Sequence, residues 1–209
     1  MSDELVFYTH PMSRGRMVRW MLEEVGQPYR TEVIEYGEAM KGPAYKAVNP
    51  MGKVPALRHG GQVVTETAAI CAYLADAFPE AGLAPPPTSR LRAPYYRWLF
   101  YAAGPVEAAT TNKALGFEVP EGRARMAGYG SYALVIDTLE AAVTGRSFLV
   151  GDRFSAADVY FGSQLAFSMQ FGIMEKRPAL ELYVAGLRAR PAAVRANALD
   201  DALMAARPG

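Results

Sequence analysis

Residues 8–29 read YTHPMSRGRMVRWMLEEVGQPY, and the change of period inside them decides the fold. Just before them, residues 5–8 form a short apolar run that reads as a strand. From Ser13 the pattern turns helical: Met17, Val18, Met21, Leu22 and Val25 recur at spacings of three and four. Gly26 and Pro28 stop that helix in the usual order. Residues 29–35 read as a second strand. A strand, a helix and a strand within about 30 residues make a βαβ unit, whose strands run parallel.

Residues 36–53 are broken by Gly and Pro and leave room for only a short helix. Residues 54–58 form a brief strand, 59–61 (His-Gly-Gly) a tight turn, and 62–64 a returning strand. Thr65-Glu66-Thr67 then opens a helix with Ile70, Tyr73, Leu74 and Ala77 on one face. At 79–89, PEAGLAPPPTS breaks the regular structure, and three successive prolines make a stiff extended linker. Beyond residue 90 no strand pattern is left. Tyr95, Trp98, Leu99, Ala102 and Val106 form a helical stripe, with a kink expected at Gly104-Pro105. Further helices fit 123–143, 156–171, 179–190 and 192–205, the last two starting beside Pro178 and Pro191. Ser155 and Asp158 fit a capping box, with Phe154 and Val159 at the staple positions. The expectation is an α/β domain followed by an all-α one.

The 209 residues suffice to bury a core, and half of them are hydrophobic. A net charge of +1 gives no reason to expect nucleic acid or an anionic membrane as a partner. No apolar run reaches the ~18 residues of a membrane span. The start of the chain lacks the basic and apolar regions of a secretory leader. One cysteine, Cys71, allows no intrachain disulfide, which fits a reducing compartment and a cytoplasmic location. With His10 and His59 it cannot build a four-ligand Cys/His zinc site, so no metal is expected. Neither GxxxxGK[ST] nor GxGxxG occurs.

Four stretches carry a family resemblance, and they come in the family's order: residues 8–29 above, NPMGKVPAL at 49–57, TETAAICAYL at 65–74 and GDRFSAADVYFG at 151–162. The chain resembles a cytosolic glutathione S-transferase of the bacterial type. The resemblance implies a thioredoxin-like α/β domain at 1–79 that binds glutathione, a linker at 80–89, and an all-helical domain at 90–209 that supplies most of the pocket for an electrophile. It also implies a homodimer.

It gives the motifs roles as well. A cis Val54-Pro55 bond would offer the Val54 backbone to the tripeptide, a small case of strand addition. Glu66 and Thr67, at a helix start, suit the zwitterionic γ-glutamyl end. Lys41 and Lys53 are candidates for the glycyl carboxylate. A hydroxyl beside a helix N-terminus would stabilise the glutathione thiolate. Ser13 leads for that role, Tyr8 is its rival and Thr9 the third candidate. Tyr8 stands five residues before Arg14, one more than the tyrosine type of the family leads us to expect. His10 could act as a base or orient the thiol. Cys71 reads as a buried apolar side chain. Aromatic residues of the helical domain (Tyr95, Tyr96, Phe100, Tyr101, Phe167, Phe171) would suit an apolar electrophile or simply fill the core. The activity implied is thiolate addition to an electrophile. A glutathione-dependent peroxidase or isomerase, and a non-catalytic binder of glutathione or an apolar ligand, are the alternatives.

Overall fold

The structure, a computed structural model, describes residues 4–120 and 122–207. Residues at the outer ends of the expected domain ranges, 1–3 and 208–209, and Glu121 lie outside the described residues. The chain forms two compact units, residues 1–83 with 190–209, and residues 84–189.

The first unit opens with β1 (Leu5–Thr9), α1 (Gly15–Val25) and β2 (Tyr29–Val33). The stripe of α1 is buried throughout, and Gly26 ends the helix in the left-handed region at φ 73°. The short helix expected in 36–53 is in fact two single turns, α2 (Glu38–Lys41) and α3 (Pro43–Lys46). Gly42 is extended between them, and Pro43 lacks the N–H that a continuous helix needs. β3 (Ala56–His59) and β4 (Gln62–Thr65) form a hairpin turned by Gly60 and Gly61, both at positive φ. α4 (Thr67–Ala77) follows. The sheet order is β2-β1-β3-β4, with β1 parallel to β2 and antiparallel to β3, and β3 antiparallel to β4. This is the thioredoxin-like βαβ-ββα arrangement.

The second unit is helical, and its described residues contain no strand. It holds α5 (Arg92–Tyr101), α6 (Glu107–Ala114), α7 (Tyr132–Val143), α8 (Ala156–Gln170) and α9 (Pro178–Arg188). Between α5 and α6 the backbone widens to a π-helix at Ala102–Val106, which carries Pro105. The kink expected there is this widening, which accommodates the proline's missing donor and its ring. The helix expected over 123–143 begins only at Tyr132, because Gly128 and Gly130 precede it and Ser131 caps it by accepting from the Leu134 N–H at 3.2 Å.

The last helix, α10 (Pro191–Ala205), packs on α1 within the first unit, whereas the sequence grouped 90–209 as one helical domain. Four ion pairs tie it there: Arg19–Asp200 and Arg16–Asp201, each 2.8 Å, Arg190–Glu24 at 2.7 Å and Arg195–Glu23 at 3.1 Å. No helical periodicity announces such pairing across the chain.

Candidate active site

The register of the sheet gathers the candidate residues. Tyr8 faces Ala56, and Ala56 faces Thr65. The end of β1, the start of β3 and the end of β4 therefore meet at one end of the sheet. The 10–14 loop, Val54-Pro55 and Glu66-Thr67 all leave from that end.

Val54-Pro55 is cis. The carbonyl of Lys53 ahead of it is held by the Tyr45 hydroxyl and by Asn49 Nδ2, each at 2.8 Å. Lys41 Nζ donates to the carbonyls of Gly52 (2.6 Å) and Met51 (3.3 Å). One of its three donors is left to face outward. Lys53 itself is exposed.

Glu66 is the one non-glycine at positive φ among the described residues, with φ 65° and ψ 118°. It is exposed, while Thr67, the first residue of α4, is buried. Such a conformation costs on the order of 1–3 kcal/mol and marks a site that the surroundings over-determine. It sits where the first amides of α4 point outward.

The three hydroxyl candidates differ in reach. Tyr8 is buried in a cluster with Val6, Met40, Tyr45 and Ala56, its ring 6.0 Å from that of Tyr45. Thr9 is fully buried, and its Oγ1 has no hydrogen-bond partner. A Cβ on Gly15 would fall 1.9 Å from that oxygen, so glycine is what lets α1 start this close to β1. Ser13 is half-buried at the start of α1. Its Oγ accepts from the Gly15 N–H at 2.9 Å and donates to the His10 carbonyl at 2.7 Å. A hydroxyl has one proton, so Ser13 must rotate away from His10 before it can donate to a ligand.

The turn that carries Ser13 is closely held. The Ser13 N–H donates to the His10 carbonyl at 3.0 Å, and the Met12 N–H donates to His10 Nδ1 at 3.1 Å. Arg16 Nε donates to the Pro11 carbonyl at 2.7 Å, and the Tyr36 hydroxyl to the Met12 carbonyl at 3.0 Å. Arg207, which follows α10, contacts His10 Nε2 and Glu35. Sequence reading missed Tyr36, Glu35 and Arg207. Arg207 lies 197 residues from His10, and no motif links them.

Burial pushes the Cys71 thiol up to about 12, so it stays a protonated core group. The described residues contain no cluster of three or more His, Cys, Asp or Glu that could hold a metal. No described helix is long and apolar enough to cross a membrane.

A thioredoxin-like sheet with helix starts and a cis-proline turn at one end, joined to a helical unit, defines a class of two-unit proteins. The model of the glutathione S-transferase N-terminal domain matches residues 12–77. The crystal structure of a glutathione transferase from Methylococcus capsulatus is 30% identical with a TM-score of 0.78, over 95% of this chain and 99% of that one. A sphingomonad glutathione S-transferase solved with glutathione is 26% identical with a TM-score of 0.75, over 94% and 98%. The Sphingobium protein LigF is 60% identical over 38 residues, which span 18% of this chain and 15% of LigF. The chain belongs to the glutathione S-transferase family.

Proposed function

We propose that the protein is a glutathione transferase that activates the glutathione thiolate at the Ser13 turn and adds it to an electrophilic, apolar small molecule. The observation that carries this reading is Glu66. A strained, exposed carboxylate at the start of α4 does nothing for the core, and it suits an incoming ammonium. Thr67 and the α4 amides then take the γ-glutamyl carboxylate. The Val54 backbone pairs with the tripeptide, and Lys41 and Lys53 meet its glycyl end. Ser13 is the favoured thiolate donor, because Thr9 is sealed from solvent and Tyr8 packs in the sheet cluster. Residues 1–79 act as the glutathione module, and the helices from residue 90 to α9 provide the electrophile's surface. The working form is a cytoplasmic homodimer.

The commitment of the Ser13 proton to His10 favours a second reading, a glutathione binder without turnover. One experiment separates the two. Glutathione is mixed with wild type, Ser13→Ala and Tyr8→Phe, thiolate absorbance is followed against pH, and turnover is measured with a generic electrophile. The transferase reading expects thiolate well below the free-thiol pKa of about 8.5, lost in Ser13→Ala and kept in Tyr8→Phe. Loss only in Tyr8→Phe moves the role to tyrosine. Binding with neither a thiolate shift nor turnover establishes the binder. Absence of glutathione binding defeats both.

A further inference from the structure

Residues 49–53 lead into Val54, and side chains from the segment just before them fix their course. Three successive carbonyls, those of Met51, Gly52 and Lys53, accept from side chains of residues 41–49. Lys41 Nζ, at the end of α2, donates to the Gly52 carbonyl at 2.6 Å and to the Met51 carbonyl at 3.3 Å. The Tyr45 hydroxyl and Asn49 Nδ2 each donate to the Lys53 carbonyl at 2.8 Å. Asn49 also turns the loop. Its Oδ1 accepts from the Met51 N–H at 3.1 Å, and its carbonyl accepts from the Gly52 N–H at 2.8 Å.

Gly52 shows how closely the loop lies on α2. It is buried at φ 56°, and a Cβ there would fall 2.8 Å from the Met40 carbonyl and 3.1 Å from Lys41 Cδ. Glycine suits both the left-handed backbone and the close approach. The Lys41 stem thus lies against Gly52, and its ammonium closes on the carbonyls around it.

A trans peptide unit is planar, and its N–H and C=O point in opposite directions. Fixing a carbonyl therefore fixes the direction of the next residue's amide. Lys41 sets the planes that follow Met51 and Gly52, and Tyr45 and Asn49 set the plane that follows Lys53. The Val54 N–H is left directed away from Tyr45 and Asn49.

We propose that Lys41 is a positioning residue for the bound tripeptide, acting through the backbone: two of its ammonium donors hold the Met51 and Gly52 carbonyls and so aim the Val54 amide at the ligand's main chain. This deepens the proposed glutathione site and rests on that reading. It also separates two lysines of equal charge. Lys53 acts on the glycyl carboxylate alone. Lys41 acts on the turn that pairs with the peptide, and has one donor left for the carboxylate.

The test uses the full chain and two ligands, glutathione and glutathione whose glycyl carboxylate is converted to the amide. The amide keeps the length of the tripeptide and removes the charge that a lysine would meet. Calorimetry gives affinities for wild type, Lys41→Met, Lys41→Arg and Lys53→Met, and hydrogen exchange of the Met51 and Gly52 amides is followed in the ligand-free proteins. Lys53→Met should weaken glutathione about fivefold, leave the amide within about a factor of two and leave exchange unchanged. Lys41→Met should weaken the amide about tenfold and glutathione at least as much, roughly one hydrogen bond's worth. The same variant should speed exchange of both amides about tenfold, while the amides of β1 and β3 keep their protection. Lys41→Arg, which keeps the charge and more than two donors, should restore part of both losses.

A Lys41→Met protein that loses glutathione but binds the amide as wild type does overturns the proposal and makes Lys41 a second contact for the glycyl carboxylate. Unchanged exchange at Met51 and Gly52 overturns it too, as does faster exchange throughout the sheet, which is general loosening. If wild type binds neither ligand, the glutathione reading fails and this role falls with it, while the exchange data still show whether Lys41 holds the turn.

Discussion

At the scale of single residues, the proposed glutathione site sets backbone strain against ligand binding at Glu66. An L-residue at φ 65° and ψ 118° pays a backbone cost that glycine avoids. Glu66→Gly should therefore leave thermal stability unchanged or raise it by about 1 kcal/mol, since strain relief outweighs the added chain entropy of glycine. The same substitution removes the carboxylate and should weaken glutathione binding about tenfold or more, a charge-assisted hydrogen bond being worth roughly 1.5–3 kcal/mol. Paired melting and calorimetry check both halves; a variant that binds as tightly as wild type would leave the strain without a purpose. The cis Val54-Pro55 bond and the helix start at Thr67 were legible in the sequence because they are local, set by neighbours in the chain. The state of Ser13 was not. Its proton goes to the His10 carbonyl, and the turn around it depends on Tyr36 and Arg207, which fold back from elsewhere.

At the scale of elements, local signals held where the cause was local. The stripe of α1, the diglycine hairpin and the box that opens α8 all formed as patterned. The helix expected from residue 123 shortened because its apolar spacing could not outweigh two glycines. The α8 box shows how a local device gains distant partners. Asp158 is fully buried and accepts from the Ser155 N–H (2.8 Å), the Ser155 hydroxyl (3.0 Å), the Leu149 N–H (2.8 Å) and the Tyr183 hydroxyl (2.7 Å). Burial raises its pKa, and these donors pull it back. A cap alone is worth about 1 kcal/mol. Asp158→Ala also strands the Leu149 and Tyr183 donors in the core, at about 1–3 kcal/mol each. The expected loss is therefore about 3–7 kcal/mol, read as a lower denaturant midpoint. A loss near 1 kcal/mol would mean that the core donors find water. Ser155→Ala, which keeps the carboxylate, should cost only about 1 kcal/mol.

At the scale of the whole molecule, the chain leaves the first unit at residue 83 and returns to it at 190. Periodicity could locate α10 but not assign it, because pairing between distant charges leaves no trace in local spacing. The decisive contact is Arg19 with Asp200, both buried. Arg19 Nε donates to Asp200 Oδ1 at 2.8 Å, Nη1 reaches the Tyr29 hydroxyl and Thr31 Oγ1, and the guanidinium lies 5.2 Å from the Phe7 ring. The pairing is incomplete, for Arg19 Nη2 and Asp200 Oδ2 have no partner. Two desolvated charges sharing one hydrogen bond stabilise little over an apolar pair of like volume, but removing either one leaves the other buried and uncompensated. Arg19→Met or Asp200→Leu alone should thus cost about 3–5 kcal/mol, and the double substitution should recover most of that loss. Denaturant unfolding of all four proteins tests this, provided the slopes agree so that midpoints report stability. If the double variant instead loses the sum of the two singles, the pair acts through its bonds to Tyr29 and Thr31, and the sheet rather than α10 is what Arg19 holds.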